Sequence, residues 1–407
     1  MQVTQQQFTG REYLKMDVAA HFGLDKEDWD VRLDWFAKHK DVLEGLLKQA
    51  EVPAQYFAAV HAWREVEQGN AIGYPIALDA TASGMQILAC LTGDRRAAML
   101  CNVVNVGRRV DAYTEVYKYM LMKAGTQGRI TREAVKTGVM TSLYNSEAEP
   151  KKVFGTGPLL TKFYETMEEE LPAVWELNQY YKAMWDSTRA TYEWVLPDNF
   201  HVVCKVTDYV NEQVLFLGEH FDVVTKVHGP TAEGRSLSAN TTHSIDGMIV
   251  REIGRRCNYK PKQVSAVYEL LNDPSQWSWV TPNAADEQTD LLLALLDRYE
   301  ASGYLSARIL DCISNRNAHL VPIAPTLALI ASLPAKPFEV FSIHDCFRCL
   351  PTYGNDLRKQ YALQLHLIAK SRMLSDLLSQ LMGHEVNVEP LDPTLADDIL
   401  HSEYALS

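Results

Sequence analysis

The chain contains no apolar run of the ~18–20 residues that a membrane-spanning helix needs. Its opening Met-Gln-Val-Thr-Gln-Gln-Gln lacks the basic start and apolar middle of a signal peptide. Cysteine is sparse: seven residues, an odd number, are scattered along 407 positions, which argues against a disulfide framework and for a reducing cytoplasm. Cys346-Phe-Arg-Cys349 is a lone Cys-x2-Cys without the second pair that a structural zinc requires. Positive charge is short as well. With 39 basic against 52 acidic residues the formal net charge is −13, wrong for gripping duplex DNA through many phosphates. No Gly-x-Ser-x-Gly elbow occurs, and Ser342, His344 and Asp345 lie too close in one segment to form a hydrolytic triad. Internal repeats and low-complexity linkers are absent.

What is present is apolar residue in quantity, 47% of the chain, enough for a sizeable core with two or three subdomains and too much for disorder. Apolar residues at spacings of three and four predict helices over 27–68, 94–124, 159–190, 284–300 and 356–383. Strand-like runs are few: 74–79, 192–195, 201–206, 213–217 and 338–351. Helices around a small antiparallel sheet give an α+β fold.

The most informative stretch is Arg132-Glu-Ala-Val-Lys136-Thr-Gly-Val-Met140-Thr141-Ser-Leu-Tyr144. Arg132 and Lys136 are neighbours one helical turn apart, and Tyr144 is expected two further steps of four along the same slowly turning face. Two cationic heads and a phenol suit a nucleoside triphosphate, with the cations for phosphate and the ring for sugar and base. Two other segments strengthen that reading. Tyr74-Pro-Ile-Ala-Leu-Asp79 reads as a buried strand delivering one Asp to its end, before the small turn Ala80-Thr-Ala-Ser83-Gly84. Phe338-Glu-Val-Phe-Ser-Ile-His344-Asp345 repeats the design, 266 positions later (345 − 79). Two carboxylates on adjacent strands facing a cationic helix would hold a pair of Mg²⁺ ions against a triphosphate. One ion would activate an attacking 3′-hydroxyl, and the other would stabilise departing pyrophosphate.

On these residues the chain resembles the single-subunit bacteriophage and mitochondrial RNA polymerases. Their first palm motif is similar to Asp79-Ala-Thr-Ala-Ser83-Gly84-Met-Gln86. Their fingers helix, Arg-x3-Lys-x3-Met-Thr-x2-Tyr-Gly, is similar to Arg132, Lys136, Met140, Thr141 and Tyr144, with Asn145 in place of Gly. Their second palm motif is similar to His344-Asp345-Cys346-Phe347. Weaker similarities lie at Tyr13-Leu14-Lys15, Pro197-Asp198-Asn199-Phe200, Asn240-x2-His243-Ser244-x-Asp246-Gly247 and the last ten residues. The resemblance implies a palm-and-fingers fold with a first palm part over 1–95, fingers over 96–243 and a second palm part over 244–407. The spacing between His243 and His344 exceeds the family's, leaving an excess at about 257–336. It implies DNA-directed RNA synthesis with two Mg²⁺ ions, ribonucleoside triphosphates, a DNA template and an RNA product. Asp79 and Asp345, with the Ala80 carbonyl, would be metal ligands. Lys136 would neutralise the triphosphate and protonate pyrophosphate, and Arg132, with Lys15, would hold the outer phosphates. Tyr144 would sense the sugar, His344 would touch the phosphate at the primer end, and His243 would lie near the new base pair.

The departure matters equally. The family's thumb, promoter-reading N-terminal domain and Asp-x2-Gly-Arg palm segment have no room ahead of Asp79, so the expectation is half an enzyme. The split, two-subunit polymerases of enquatrovirus-like phages resemble this arrangement. That implies a second phage-encoded subunit, a single-stranded or pre-opened template, and work in the cytoplasm of an infected bacterium. The Arg251-x3-Arg255-Arg256-x3-Lys260-x-Lys262 run is expected either to track a nucleic-acid backbone or to form a solvated helix face. A palm-family DNA polymerase fragment is the nearest rival. That family places a Glu gate after the first Asp, where this chain has Ala80 to Ser83, and a Glu after the second, where it has Cys346. A non-catalytic scaffold would have no use for Asp79, Asp345, Arg132, Lys136 and Tyr144 together.

Overall fold

Amphipathic periodicity produces most of the secondary structure of this α+β chain. The computed structural model describes residues 5–125, 130–234, 236–278 and 287–407. An N-terminal helical layer, α1 (Gly10–Ala19), α2 (Trp29–His39) and α3 (Pro53–Glu67), precedes β1 (Ile76–Asp79) and the buried helix α4 (Ser83–Thr92). A helical block follows: α5 (Arg95–Leu100), α6 (Ala112–Ala124), α7 (Arg132–Ser142), α8 (Ala148–Phe154), α9 (Pro158–Glu170) and α10 (Pro172–Ala183). Two hairpins come next, β2 (Thr191–Val195) with β3 (His201–Lys205), then β4 (Thr207–Phe216) with β5 (Glu219–His228). The long α11 (Ser236–Cys257) leads to α12 (Pro261–Asn272), α13 (Glu287–Ser302) and α14 (Ile323–Ala331). The chain closes with β6 (Phe341–Ile343), β7 (Cys346–Cys349), α15 (Gly354–Lys370), α16 (Met373–Met382) and α17 (Leu395–Ile399).

Four of the five long periodic stretches are divided, while 284–300 is one helix, α13, over its described residues, and the breaks have local causes. Pro53 and Pro172 occupy the first turns of α3 and α10, where a missing N–H costs nothing, so 27–68 and 159–190 split there. The 213–217 run is not a strand of its own. It is the end of β4, whose earlier part carries the strand-poor Asp208, Asn211 and Glu212 and is held by pairing with β5. The 338–351 run is also not one strand. His344 takes a left-handed φ of 56° and turns the chain, so β6 and β7 pair antiparallel with Ile343 opposite Cys346.

One hydrophobic core runs from Phe8 to Leu406 and draws on all three segments of the sequence. Every residue of α4 from Gly84 to Thr92 is buried, so this helix is the centre of that core. Its one long polar side chain, Gln86, is fully satisfied: it donates to the carbonyls of Cys101 and Ala405, both at 2.9 Å, and accepts from the Tyr361 hydroxyl at 2.7 Å. A second, smaller core of Val267, Leu271, Leu292, Ile309 and Leu329 lies within 257–336, so that excess forms a helical subdomain of its own. Residues 279–286 of it lie outside the described residues. Among the described residues no helix is long and apolar enough to cross a membrane.

The three-stranded sheet has the order β1-β7-β6, all antiparallel. β1 is an edge strand whose free groups are occupied from elsewhere. The Ala77 amide donates to buried Asp17 at 3.0 Å, and Asp79 exchanges backbone hydrogen bonds with Ser407 at 3.2 and 2.9 Å. The last residues of the sequence thus extend the edge beside the first candidate carboxylate.

Candidate active site

Sheet register brings the two distant carboxylates together. Asp79 pairs with Cys346 across β1 and β7, and the Ala80 amide donates to the Asp345 carbonyl at 3.1 Å. Burial pushes the Asp79 carboxyl above its ordinary value, and the nearby Asp345 adds to that rise while Cys346 and Arg348 oppose it. Burial beside Asp79 also pushes the Cys346 thiol up to about 12, so Cys346 stays a neutral thiol.

A third carboxylate joins them. Asp246, on α11, is pushed up to about 6 by burial and by Asp345, against a smaller lowering from His344. In the sequence Asp246 lies within the Asn240-to-Gly247 similarity, where only His243 carries an expected role. Its signal was spacing: three residues after His243, it shares a face of one helix. Crowded carboxylates on this scale are a store of electrostatic repulsion. The sign of the resulting pH dependence follows from linkage. A folded-state value of about 6, above an ordinary 3.8, means that the folded protein holds a proton the unfolded chain has released. The stability that this proton preserves is present below the ordinary value and lost as pH rises through about 6. Asp246→Asn, in chelator, should therefore stabilise the fold at pH 8 by an amount on the order of 1–2 kcal/mol and change little near pH 4, by denaturant melts. Equal effects at both pH values would show that the charge is not strained.

Tyr144 stands over this cluster, but not as a helix residue. α7 ends at Ser142, and Tyr144 lies in the turn that follows, which Asn145 closes with a φ of 63°. Asn tolerates the left-handed region, so it does the conformational work of the glycine it replaces. Freed carbonyls at the end of α7 are taken by neighbours: Asn178 donates to Ser142 at 2.5 Å and Ser238 to Leu143 at 2.8 Å. The second bond ties α7 to α11, and the Tyr144 ring stacks on His243 with centroids 5.0 Å apart at 21°. On its other side, a Cβ at Gly84 would overlap the Tyr144 hydroxyl, so the glycine of the Ser83-Gly84 turn makes room for the phenol. Burial, Asp246 and Asp345 raise the Tyr144 phenol, keeping it a neutral hydrogen-bonding group.

The two cations of α7 are held by residues that the sequence did not flag. The Lys136 ammonium sits 5.9 Å from the Tyr113 ring centroid, and the Tyr113 phenol is raised to about 12 by burial, Tyr144, Asp111 and Asp345. Arg132 is held by Asp111, by Thr114 at 2.8 Å and by Glu133 at 2.7 Å. A phosphate reaching Arg132 would therefore exchange with these partners. His344 is exposed at the hairpin turn beside Asp345. The Lys15 ammonium lies over the rings of Trp63 at 5.3 Å and Phe36 at 6.0 Å, in the N-terminal layer.

Of the basic run, the three arginines on α11 make contacts within the fold, while Lys260 and Lys262 are exposed. Arg251 and Arg255 bond buried Asp198, at 2.6 and 2.9 Å, and Arg256 is buried against Gln360 and Ser332. Burial pushes the Asp198 carboxyl up, but the two guanidinium groups outweigh it and leave it below its ordinary value. Arg251 and Arg255 thus tie α11 to Pro197-Asp198-Asn199-Phe200.

Residues 5–152, which contain Asp79, Lys136 and Tyr144, match the family model of DNA-dependent RNA polymerase. The chain is 29% identical over 163 residues to the mitochondrial DNA-directed RNA polymerase of Neurospora crassa, covering 33% of this chain and 12% of that one. It is 23% identical over 375 residues to a probable DNA-directed RNA polymerase of Neurospora crassa, covering 85% of this chain and 38% of that one. The sequence similarity is to DNA-directed RNA polymerases. The longer of the two alignments extends well beyond residues 5–152, so the similarity is not confined to the segment that holds Asp79 and α7. The chain spans well under half the length of either relative.

Proposed function

We propose that the chain is the catalytic subunit of a DNA-directed RNA polymerase of the phage type, with a palm-and-fingers arrangement, working with a second subunit. The observation that carries this reading is the register of β1 on β7, which sets Asp79 beside Asp345. The donor set fits Mg²⁺. Asp79 and Asp345 form no salt bridge among the described residues, and they are hard oxygen ligands whose mutual repulsion a cation would relieve. No group of three or more His, Cys, Asp or Glu forms a ready-made metal cage among the described residues. That agrees with an ion held by one or two carboxylates and completed by substrate phosphates and water. Bound there, Mg²⁺ would lower the pKa of the attacking 3′-hydroxyl and offset charge on pyrophosphate. Asp79 and Asp345 would hold it, with the Ala80 carbonyl close by. Lys136 would neutralise the triphosphate and donate a proton to the leaving group, with Arg132 on the outer phosphates. Tyr144 and His243, stacked together, would form the surface against the sugar and new base pair, and His344 would meet the primer-end phosphate.

Two features favour RNA over DNA synthesis. The turn Ala80 to Ser83 presents no carboxylate gate against a ribose hydroxyl, and the Tyr144 hydroxyl is aimed into the space that Gly84 leaves. Tyr144→Phe should keep polymerising while its preference for ribo- over deoxynucleotides falls roughly 3–10-fold, the worth of one hydrogen bond. A ribo/deoxy competition on one template position checks this, and unchanged discrimination would remove Tyr144 as the sensor. The function itself is tested by extension of an RNA primer annealed to single-stranded DNA, with the chain and its co-purified partner. Templated addition of ribonucleotides is expected. Absence of any templated addition, with folded protein, would overturn the proposal.

A further inference from the structure

Among the described residues the β4–β5 ribbon pairs with no other strand, and it leaves the body at Val206, where the His228 ring and the Gly229 amide meet the Val206 carbonyl at 2.9 and 3.2 Å. Its register sorts its side chains onto two unlike faces. One face carries Thr207, Tyr209, Asn211, Gln213 and Leu215 opposite His228, Lys226, Val224, Asp222 and His220, a mixed surface with balanced formal charge. The other carries Val210, Val214, Phe216, Phe221, Val223 and Val227 with Asp208, Glu212, Glu219 and Thr225. This second face holds three carboxylates and no cation. Phe216 is 62% exposed and Phe221 51% exposed, and Val210, Val214 and Val223 are exposed too. Ten-residue strands reach roughly 34 Å, so the face offers several hundred Å² of largely apolar surface, about the most that a monomer ordinarily exposes. An isolated two-stranded ribbon is marginal in water, so this one gains stability when that face is covered.

Charge decides what covers it. Nucleic acid is gripped by neutralising phosphates, and a face with three carboxylates and no cation repels them. We infer that the Val210–Val214–Phe216–Phe221–Val223 face of the ribbon is a docking surface for a basic protein partner. The partner would present an apolar strip rimmed by Lys or Arg to meet Asp208, Glu212 and Glu219. The inference needs only the ribbon's register, exposure and charge, and stands apart from the chemistry at Asp79 and Asp345.

The test uses the full chain in the cells where it is naturally made, with a photo-crosslinking residue at Val214 or, on the opposite face, at Asn211. The protein captured through position 214 is identified, purified and titrated against the chain. A single polypeptide captured at 214 and not at 211 is expected. Its dissociation constant should rise at least tenfold with the V214D/F221D pair, and also with D208K/E212K/E219K, while the melting temperature of the chain stays unchanged. In the charge-reversed variant, added salt should no longer weaken binding. Crosslinking of position 214 to nucleic acid or to a second copy of this chain would overturn the proposal, as would no crosslink at all. Equal capture from both faces, or an affinity indifferent to both sets of substitutions, would overturn it as well. Primer extension by the docking variants separates this from the catalytic reading, because a loss of docking with intact extension leaves that reading standing.

Discussion

Asp79→Asn and Asp345→Asn are each expected to lower nucleotide addition by at least about 10²–10³-fold while leaving the fold intact. Each replaces a charged oxygen ligand with a neutral amide of nearly the same shape, so the packing around β1 and β7 need not change. Repulsion supplies an independent signature. Asp79 stands at the solvent-exposed end of β1 beside Asp345 with its carboxyl held above the ordinary value, so removing either charge relieves repulsion in the metal-free protein. The variants should thus be no less stable than the parent in chelator while nearly inactive with Mg²⁺. A variant that keeps activity within tenfold of the parent would remove the polymerase assignment. One that loses activity only because it unfolds would leave the chelator melt lower than the parent's, and the melt distinguishes the two.

The second large effect concerns the partner. The chain alone is expected to extend a primer feebly, and addition of a second subunit bearing the thumb should raise the rate by orders of magnitude. Positive charge available for DNA is scarce. The formal balance is −13, and Arg251, Arg255 and Arg256 are committed to Asp198, Gln360 and Ser332 inside the fold. Grip on the hybrid therefore has to come from elsewhere. An obligate pairing of this kind buries roughly 2,000 Å² or more. Size-exclusion chromatography with template assays decides it. A monomer of this chain that transcribes duplex DNA efficiently from a defined start would contradict the two-subunit reading.

Much of this was legible because chemistry and local periodicity coincide in the sequence. Asp79 ends an apolar run at a small-residue turn, and that run is β1. The Arg132–Lys136 spacing marks a helix, and the helix forms from Arg132 onward. Legibility failed where long-range partners decide the outcome. Tyr144 continues the helical spacing on paper, but Ser238 and Asn178 take the last carbonyls of α7 and the chain turns at Asn145. The α11 arginines look like a solvent-facing stripe until Asp198, more than fifty positions upstream, is seen to bind them. Asp246 was missed because a carboxylate three residues from a histidine is common, and only the fold sets it against Asp345. The β4–β5 ribbon was half seen, since its acidic residues interrupt the strand pattern that its register restores.

The most direct test of the central claim, that Asp79 and Asp345 hold one metal pair, is iron-directed backbone cleavage. Fe²⁺ substituted for Mg²⁺ in the presence of a ribonucleoside triphosphate reduces added hydrogen peroxide to hydroxide and a hydroxyl radical, ascorbate restores the Fe²⁺, and the radicals cut the backbone nearest the ion. The account predicts cleavage at two segments far apart in sequence, around residues 79–81 and 344–346, suppressed together by excess Mg²⁺ and lost together in Asp345→Asn. Cleavage at neither segment, or at one that persists in Asp345→Asn, would contradict it.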